Sequence, residues 1–392
     1  MKRTIGLLAV CQALMMTSQA LVVTTSALVG LALAPYHALA TLPYALQFIA
    51  VMTVTYFASL LMGRIGRKRG FLLASVVGCV GASVATGGIV AGSFVLFCLG
   101  SFLFGVFFAF SQYYRFAAAE IATDDYRSRA ISLVIAGGGV AGFAGPWIAA
   151  STRLVVAGAE FAGSYASMLG LYLLSALILG FIRFPDSGSD TGDTAPPRPL
   201  SVVARQPSYL VALLASVVAY GSMNLVMAAT PLAMQARGFS PDQVSFVISC
   251  HILGMFAPAF ITGHLIRWFG VLNVMLWGAL LLASCVVINL QGETTENFWI
   301  SLTFLGIGWN FMFTGGTTLL TTTYRPSEKS RAQGLNDFVV YSVISFTAVG
   351  SGGFHAWFGW QAINVGVTPF LVLAAMLVVW LRLRQRTPAA PT

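Results

Sequence analysis

"QFIAVMTVTYFASLLMGRIGRKRGFLLASVVGCVGASVATGGIV" occupies residues 47–90. Two long apolar runs flank the loop GRIGRKRG, residues 63–70, which holds the cations Arg64, Arg67, Lys68 and Arg69. A helix needs roughly 20 apolar residues to cross about 30 Å of hydrocarbon, and each run supplies them. The runs are continuous and do not alternate, which predicts helices and not barrel strands. Positive loops stay on the cytoplasmic side of a membrane. The segment therefore predicts a transmembrane helical hairpin with its loop inside the cell.

The rest of the chain extends this pattern. Only 8% of the 392 residues are charged and 57% are hydrophobic. A soluble domain carries about 25% charged residues, so most of this exterior must meet lipid. Twelve apolar runs of spanning length recur, at about 5–33, 39–62, 71–92, 93–121, 130–152, 161–183, 208–234, 242–263, 270–290, 297–323, 334–357 and 361–382. The basic start "MKRTIGLLAV" mimics a secretion signal, but its run is too long and predicts a retained helix. The net charge of +9 falls in the gaps between runs. Topology explains it, and no nucleic-acid partner is expected. Arg153 and Arg237 sit in the alternate gaps, whereas the other loop cations share one side. Both termini are thus expected in the cytoplasm. The five cysteines lie inside apolar runs without metal-ligand spacing, so no metal, disulfide or cofactor is expected.

The longest polar stretch, "FPDSGSDTGDTAPPRPLSVVARQP" at 184–207, reads as a flexible cytoplasmic linker. It separates an N-terminal six-helix bundle, 1–183, from a C-terminal one, 208–392. The halves look related. "SLLMGRIG" (59–66) and "GHLIRWFG" (263–270) lie 204 residues apart, and "YRSRA" (126–130) and "EKSRA" (328–332) lie 202 apart. Two matches at nearly one offset predict a parallel repeat.

Twelve helices in two pseudo-symmetric bundles, a central linker and this basic loop resemble the major facilitator superfamily. The likeness covers essentially the whole chain. The superfamily's loop pattern is G-x-x-x-D-R-x-G-R-R, and here Arg64, Gly66, Arg67 and Lys68 match it. Ser59 replaces its first glycine, and Gly63 replaces the acid that helps latch the cytoplasmic gate. The resemblance gives Arg64, Gly66 and Arg67 gating roles. Gly145 and Pro146 match the centre of the fifth-helix pattern of the antiporter branch, a thin and bendable helix, while Ser132, Ala141, Ala149 and Ala150 stand at its other glycines. "QYYRFAAAE" and "SRAQGLNDF" are similar to a bacterial branch that includes riboflavin-type vitamin importers. The resemblance implies an all-α secondary transporter in a bacterial inner membrane, acting as a monomer on a small-molecule solute, with membrane lipid around it.

No lysine follows a glycine, so a phosphate-cradling loop is absent and only an ion gradient could drive transport. Enzyme chemistry is not expected, since no paired carboxylates or histidine clusters share a depth. Polar groups at membrane depth are costly and are functional candidates by default. Arg115 lies about seven residues from the cytoplasmic end of its run, roughly 10 Å inside. Glu120 is about 140° around the same helix and a poor partner, while Asp337 is a possible one. His251 and Gln47 are related by an offset of 204, and Asn224 and Gln19 by 205. These pairs predict a central cavity, with Trp309 and Asn310 beside it. The expected solute contacts are Gln19, Gln47, Arg115, Asn224, His251, Trp309 and Asn310. His251 or Asp337 would carry a coupling proton. Phe107, Phe108, Phe110, Tyr113 and Tyr114 could line the cavity and suit a planar ring, although plain packing accounts for most such aromatics. Export of drugs or metabolites, and a transport-dead sensor lacking the gate acid, stay open as alternatives.

Overall fold

The structure is a computed structural model that describes residues 1–36, 39–184 and 197–386. Among these residues every regular element is helical. In order they are α1 (Lys2–Leu33), α2 (Leu42–Ile65), α3 (Arg67–Val90), α4 (Phe94–Ser111), α5 (Tyr114–Ile121), α6 (Arg127–Ala136), α7 (Ala141–Thr152) and α8 (Ala162–Phe181). After the linker come α9 (Leu200–Ala204), α10 (Pro207–Gln235), α11 (Pro241–Phe256), α12 (Ala259–Phe269), α13 (Val271–Gln291), α14 (Thr295–Leu320) and α15 (Lys329–Arg386), the last broken at Gly359.

Helix lies under each of the twelve apolar runs. By length and composition nine spans of described residues qualify to cross a membrane, and α11 with α12, bent by 41°, makes a tenth. The bend sits at Ala257–Pro258, where proline cannot donate to the preceding turn. Large apolar side chains face outward, as lipid contact requires: Phe57 is 68% exposed and Trp147 70%. By contrast α14 is buried along most of its length. Its threonines and asparagines lower its hydropathy, and its neighbours shield them from lipid.

The chain packs as two compact units whose boundary crosses two of the helical runs. One unit holds Met1–Ala122, the chain from Gly137 to the linker, and Lys329–Tyr341. In it α4 packs on α2 and α3, and α1 packs on α7 and α8. The other holds Thr123–Ala136, the chain from the end of the linker to Glu328, and the chain from Ser342 on. There α14 packs on α10, α11 and α13, and α12 packs on α6. Ser128 Oγ donates to Gly263 O at 3.0 Å and Ser132 Oγ to Ala259 O, fastening α6 to α12.

The repeat also appears in backbone conformation. Gly66, between α2 and α3, has φ 88° and ψ 154°, and Gly270, 204 residues later between α12 and α13, has φ 84° and ψ 149°. A side chain there would be strained, so glycine permits the sharp reversal from one helix into the next.

Candidate functional site

The fourth run is interrupted at Gln112–Tyr113, between α4 and α5. Arg115 folds back over the break, and its Nη1 donates to Gln112 O at 2.7 Å. Its Nη2 donates to both oxygens of Asp337, at 2.7 and 2.8 Å. Asp337 Oδ1 also accepts from Asn336 Nδ2 at 2.9 Å, and Phe116 lies under the guanidinium at 4.5 Å. Both charged side chains are buried, Asp337 completely. An isolated charge here would carry a large desolvation cost, so the two hold each other in place.

A second polar cluster lies in the same unit. Arg67, at the start of α3, donates to Glu120 Oε1 at 2.6 Å and to Gln333 Oε1, with its guanidinium 5.4 Å from the Tyr113 ring. Lys329 Nζ reaches Glu120 Oε2 at 3.2 Å. Glu120 therefore serves Arg67 and Lys329. Arg64 is exposed. Gly63 is pressed against the first turn of α15: a Cβ there would come within 2.3 Å of Ser330 Oγ. On α7, Gly145 packs so closely on α1 that a Cβ would lie 2.5 Å from that of Ala20, and Pro146 follows inside the helix.

Gln19 and Gln47 meet directly, Gln47 Nε2 donating to Gln19 Oε1. They line a small, closely packed pocket with Ser18, Val22, Phe104, Phe107, Phe108 and Tyr172. Phe110 is buried but does not line it, Tyr113 donates its hydroxyl to Thr55 O at 3.0 Å, and Tyr114 packs on Phe71.

The candidates in the second unit have other partners. Asn224 Nδ2 donates to Thr347 Oγ1 at 3.0 Å. His251 is fully buried, with Nδ1 2.8 Å from Leu302 O, and its Nε2 has no partner among the described residues. Trp309 stacks on Phe313 at 5.2 Å and meets Tyr220 edge-on, and its Nε1 is likewise without a partner among them. Asn310 spends its amide on the α11–α12 bend, accepting from Thr262 Oγ1 and donating to Met255 O, each at 2.7 Å.

Several polar residues of this kind escape sequence reading. Gln333, four residues before Asp337 in "SRAQGLNDF", carries no sign of its contact with Arg67. Asn289 Nδ2 donates to Asn364 Oδ1 at 2.8 Å, tying α13 to α15. Tyr172 gave no signal beyond being aromatic in an apolar run.

The family model described as Major Facilitator Superfamily matches residues 8–223 and 212–392. The chain belongs to the Major Facilitator Superfamily. Riboflavin transporter RfnT of Brucella anthropi is 38% identical over 392 residues, covering 99% of this chain and 98% of its own length. The uncharacterised MFS-type transporter YdeG of Bacillus subtilis is 25% identical over 365 residues, 88% of this chain and 84% of that one. The crystal structure of the superfamily transporter FucP in the outward conformation superposes with a TM-score of 0.79 at 15% identity, over 96% of this chain and 98% of that chain. Human MFSD10 (TETRAN), an organic anion transporter, gives 0.78 at 14% identity over 96% and 99%. These two structures show the fold alone. The protein is a multi-pass membrane transporter with the superfamily's twelve helices in two bundles.

The linker of this superfamily member is tied down at its far end. Residues 185–196, most of the expected flexible linker, lie outside the described residues. Beyond them Arg198 donates from Nε and Nη2 to the two oxygens of Glu328, at 2.8 and 2.7 Å, and α9 follows. Glu328 is buried. Hydrogen bonds from Arg198, opposed by burial, hold its carboxyl below the ordinary 4.5, at about 2. A depressed folded pKa means that the tie is fully present above about 4.5 and is lost as pH falls toward 2. A spin label at Ser201 is expected to stay immobile down to about pH 4.5 and become mobile near pH 2. Glu328→Gln should make it mobile at neutral pH, and an immobile label in that variant would overturn this assignment.

Proposed function

We propose that this transporter carries a riboflavin-like vitamin across a bacterial inner membrane by alternating access, with both termini in the cytoplasm. The observation that carries the reading is the 38% identity to a riboflavin transporter over 99% of the chain. Two further features support it: the aromatic walls of the Gln19–Gln47 pocket suit a planar ring, and the buried polar residues sit where an exterior of apolar side chains offers no reason for them. The orientation rests on the cations of the basic loop and the termini.

Proton coupling is assigned to Asp337, with His251 as the alternative carrier. Protonation of Asp337 would release Arg115, and the paired and released forms differ in which groups Arg115 can offer a solute. We read the cluster of Arg67, Glu120, Gln333 and Lys329 as a substitute for the latch that an acid at position 63 makes elsewhere in the superfamily. A transport-competent protein therefore fits better than a dead one.

The test is uptake of radiolabelled riboflavin by the purified protein in liposomes, with an imposed proton gradient of either sign. Accumulation that collapses with a protonophore supports both transport and coupling. Riboflavin counterflow without gradient-driven accumulation would keep the solute and remove the proton. No riboflavin movement in either direction would remove the solute assignment.

A further inference from the structure

We infer that the amides of Gln19 and Gln47 together read a cyclic imide edge, the C(=O)–N(H)–C(=O) face shared by flavin and uracil-type rings. The inference rests on the flavin reading above and names the side chains that would enforce it.

The observation behind it is an incomplete hydrogen-bond pattern. Gln47 is 2% exposed, and its Nε2 is engaged with Gln19 Oε1. Its Oε1 is buried and has no partner among the described residues. Buried acceptors in folded proteins are nearly always paired. One left open beside a cavity calls for a donor from a ligand. Gln19, half-buried, carries a donor of its own in Nε2. The joined amides thus bring one open acceptor and one further donor to the same pocket. An imide edge presents the complement: its N–H meets Gln47 Oε1, and a flanking carbonyl meets Gln19 Nε2.

The surroundings fit such an edge and exclude other groups. Phe104, Phe107, Phe108 and Tyr172 wall the pocket, and Phe107 and Tyr172, already in contact at 4.4 Å, form one aromatic wall against which a flat ring can lie. No charged side chain lines it, so the group held there is neutral. Its lining side chains are packed closely in this structure, so what it offers is contact with one ring edge, the remainder of a larger ligand lying outside. The amide pair is also held rigidly from behind, because α4 approaches the Gln47 backbone with only Gly105 between: a Cβ at Gly105 would stand 2.2 Å from Gln47 O.

The experiment is a fluorescence-quenching titration of the purified full-length protein with riboflavin and with N3-methylriboflavin, which lacks the imide N–H. The unaltered protein is expected to bind the methylated compound about 10- to 100-fold more weakly, because a site built to bond an N–H leaves its own acceptor unpaired when that N–H is missing. Gln47→Leu should weaken riboflavin by a similar factor and bind the two compounds alike. Gln47→Glu, which keeps an acceptor, should retain the preference, and serves if Gln47→Leu does not fold. Equal binding of the two flavins by the unaltered protein overturns the inference. If no flavin binds, the flavin reading fails. The imide reading is then decided by melting shifts with uracil and alloxazine against their N3-methyl forms: a shift that methylation removes supports it, and no shift overturns it.

Discussion

Asp337→Asn is expected to destabilise the protein by about 3–5 kcal/mol, because it strips a buried guanidinium of its counter-charge. Arg115 donates to both oxygens of Asp337 and has little solvent to turn to, its side chain being 4% exposed. The neutral amide cannot balance the charge, and its Nδ2 would point a donor at a donor. A drop in melting midpoint of about 4–6 °C in detergent follows. The double variant Arg115→Gln/Asp337→Asn removes both charges and should recover most of that loss, since the penalty lies in the orphaned ion and not in the missing bond. The double-mutant cycle isolates the coupling. Melting equal to that of the unaltered chain in the single variant would contradict the buried pair. Transport separates the two roles of these residues. If the pair is only a tie between helices, the recovered double variant moves solute normally. If it carries the coupling, the double variant is stable and does not accumulate solute.

Gly105→Val should cost more than about 3 kcal/mol and remove flavin binding. Overpacking a filled interior costs about 1–3 kcal/mol per substitution, and more where backbone is hit. At Gly105 the first atom of a side chain already meets Gln47 O at 2.2 Å and the Ala50 Cβ at 2.6 Å. A carbonyl of a helix cannot rotate away, so α2 must separate from α4. That movement carries Gln47 away from Phe104, Phe107 and Phe108, and the pocket loses its walls. Gly170→Ala is the control, since nothing stands within 4 Å of its added Cβ. Melting and riboflavin titration check both. A Gly105→Val protein as stable as the control would mean that α2 and α4 do not pack this closely.

Much of the fold was legible because lipid makes simple demands. A segment that crosses hydrocarbon must be long, apolar and internally hydrogen-bonded, and all three requirements act along the chain. The twelve runs, the basic loop and the 204-residue offset could therefore be read directly, and Gly66 and Gly270 carry that offset into matching backbone angles. Asp337 could be named as a partner for Arg115 because a buried cation needs an anion and few acids lie in apolar runs.

Side-chain partners across long separations were a different matter. Helical spacing ruled Glu120 out for Arg115 but gave no hint of Arg67, 53 residues earlier, or of Lys329, 209 residues later. The offset that matched Gln47 with His251 is a relation between repeats and carries no information about contact. Gln47 instead meets Gln19, and His251 meets Leu302 O. Asn310 looked available for a solute, yet the proline bend beside it leaves Met255 O and Thr262 for it to satisfy. That this chain is a bundle of membrane helices with a basic loop could be read segment by segment, because burial in lipid is a property of each segment alone. Which polar side chains face one another came from the packing, because a hydrogen bond acts over about 3 Å and depends on how helices far apart in the chain come to lie side by side.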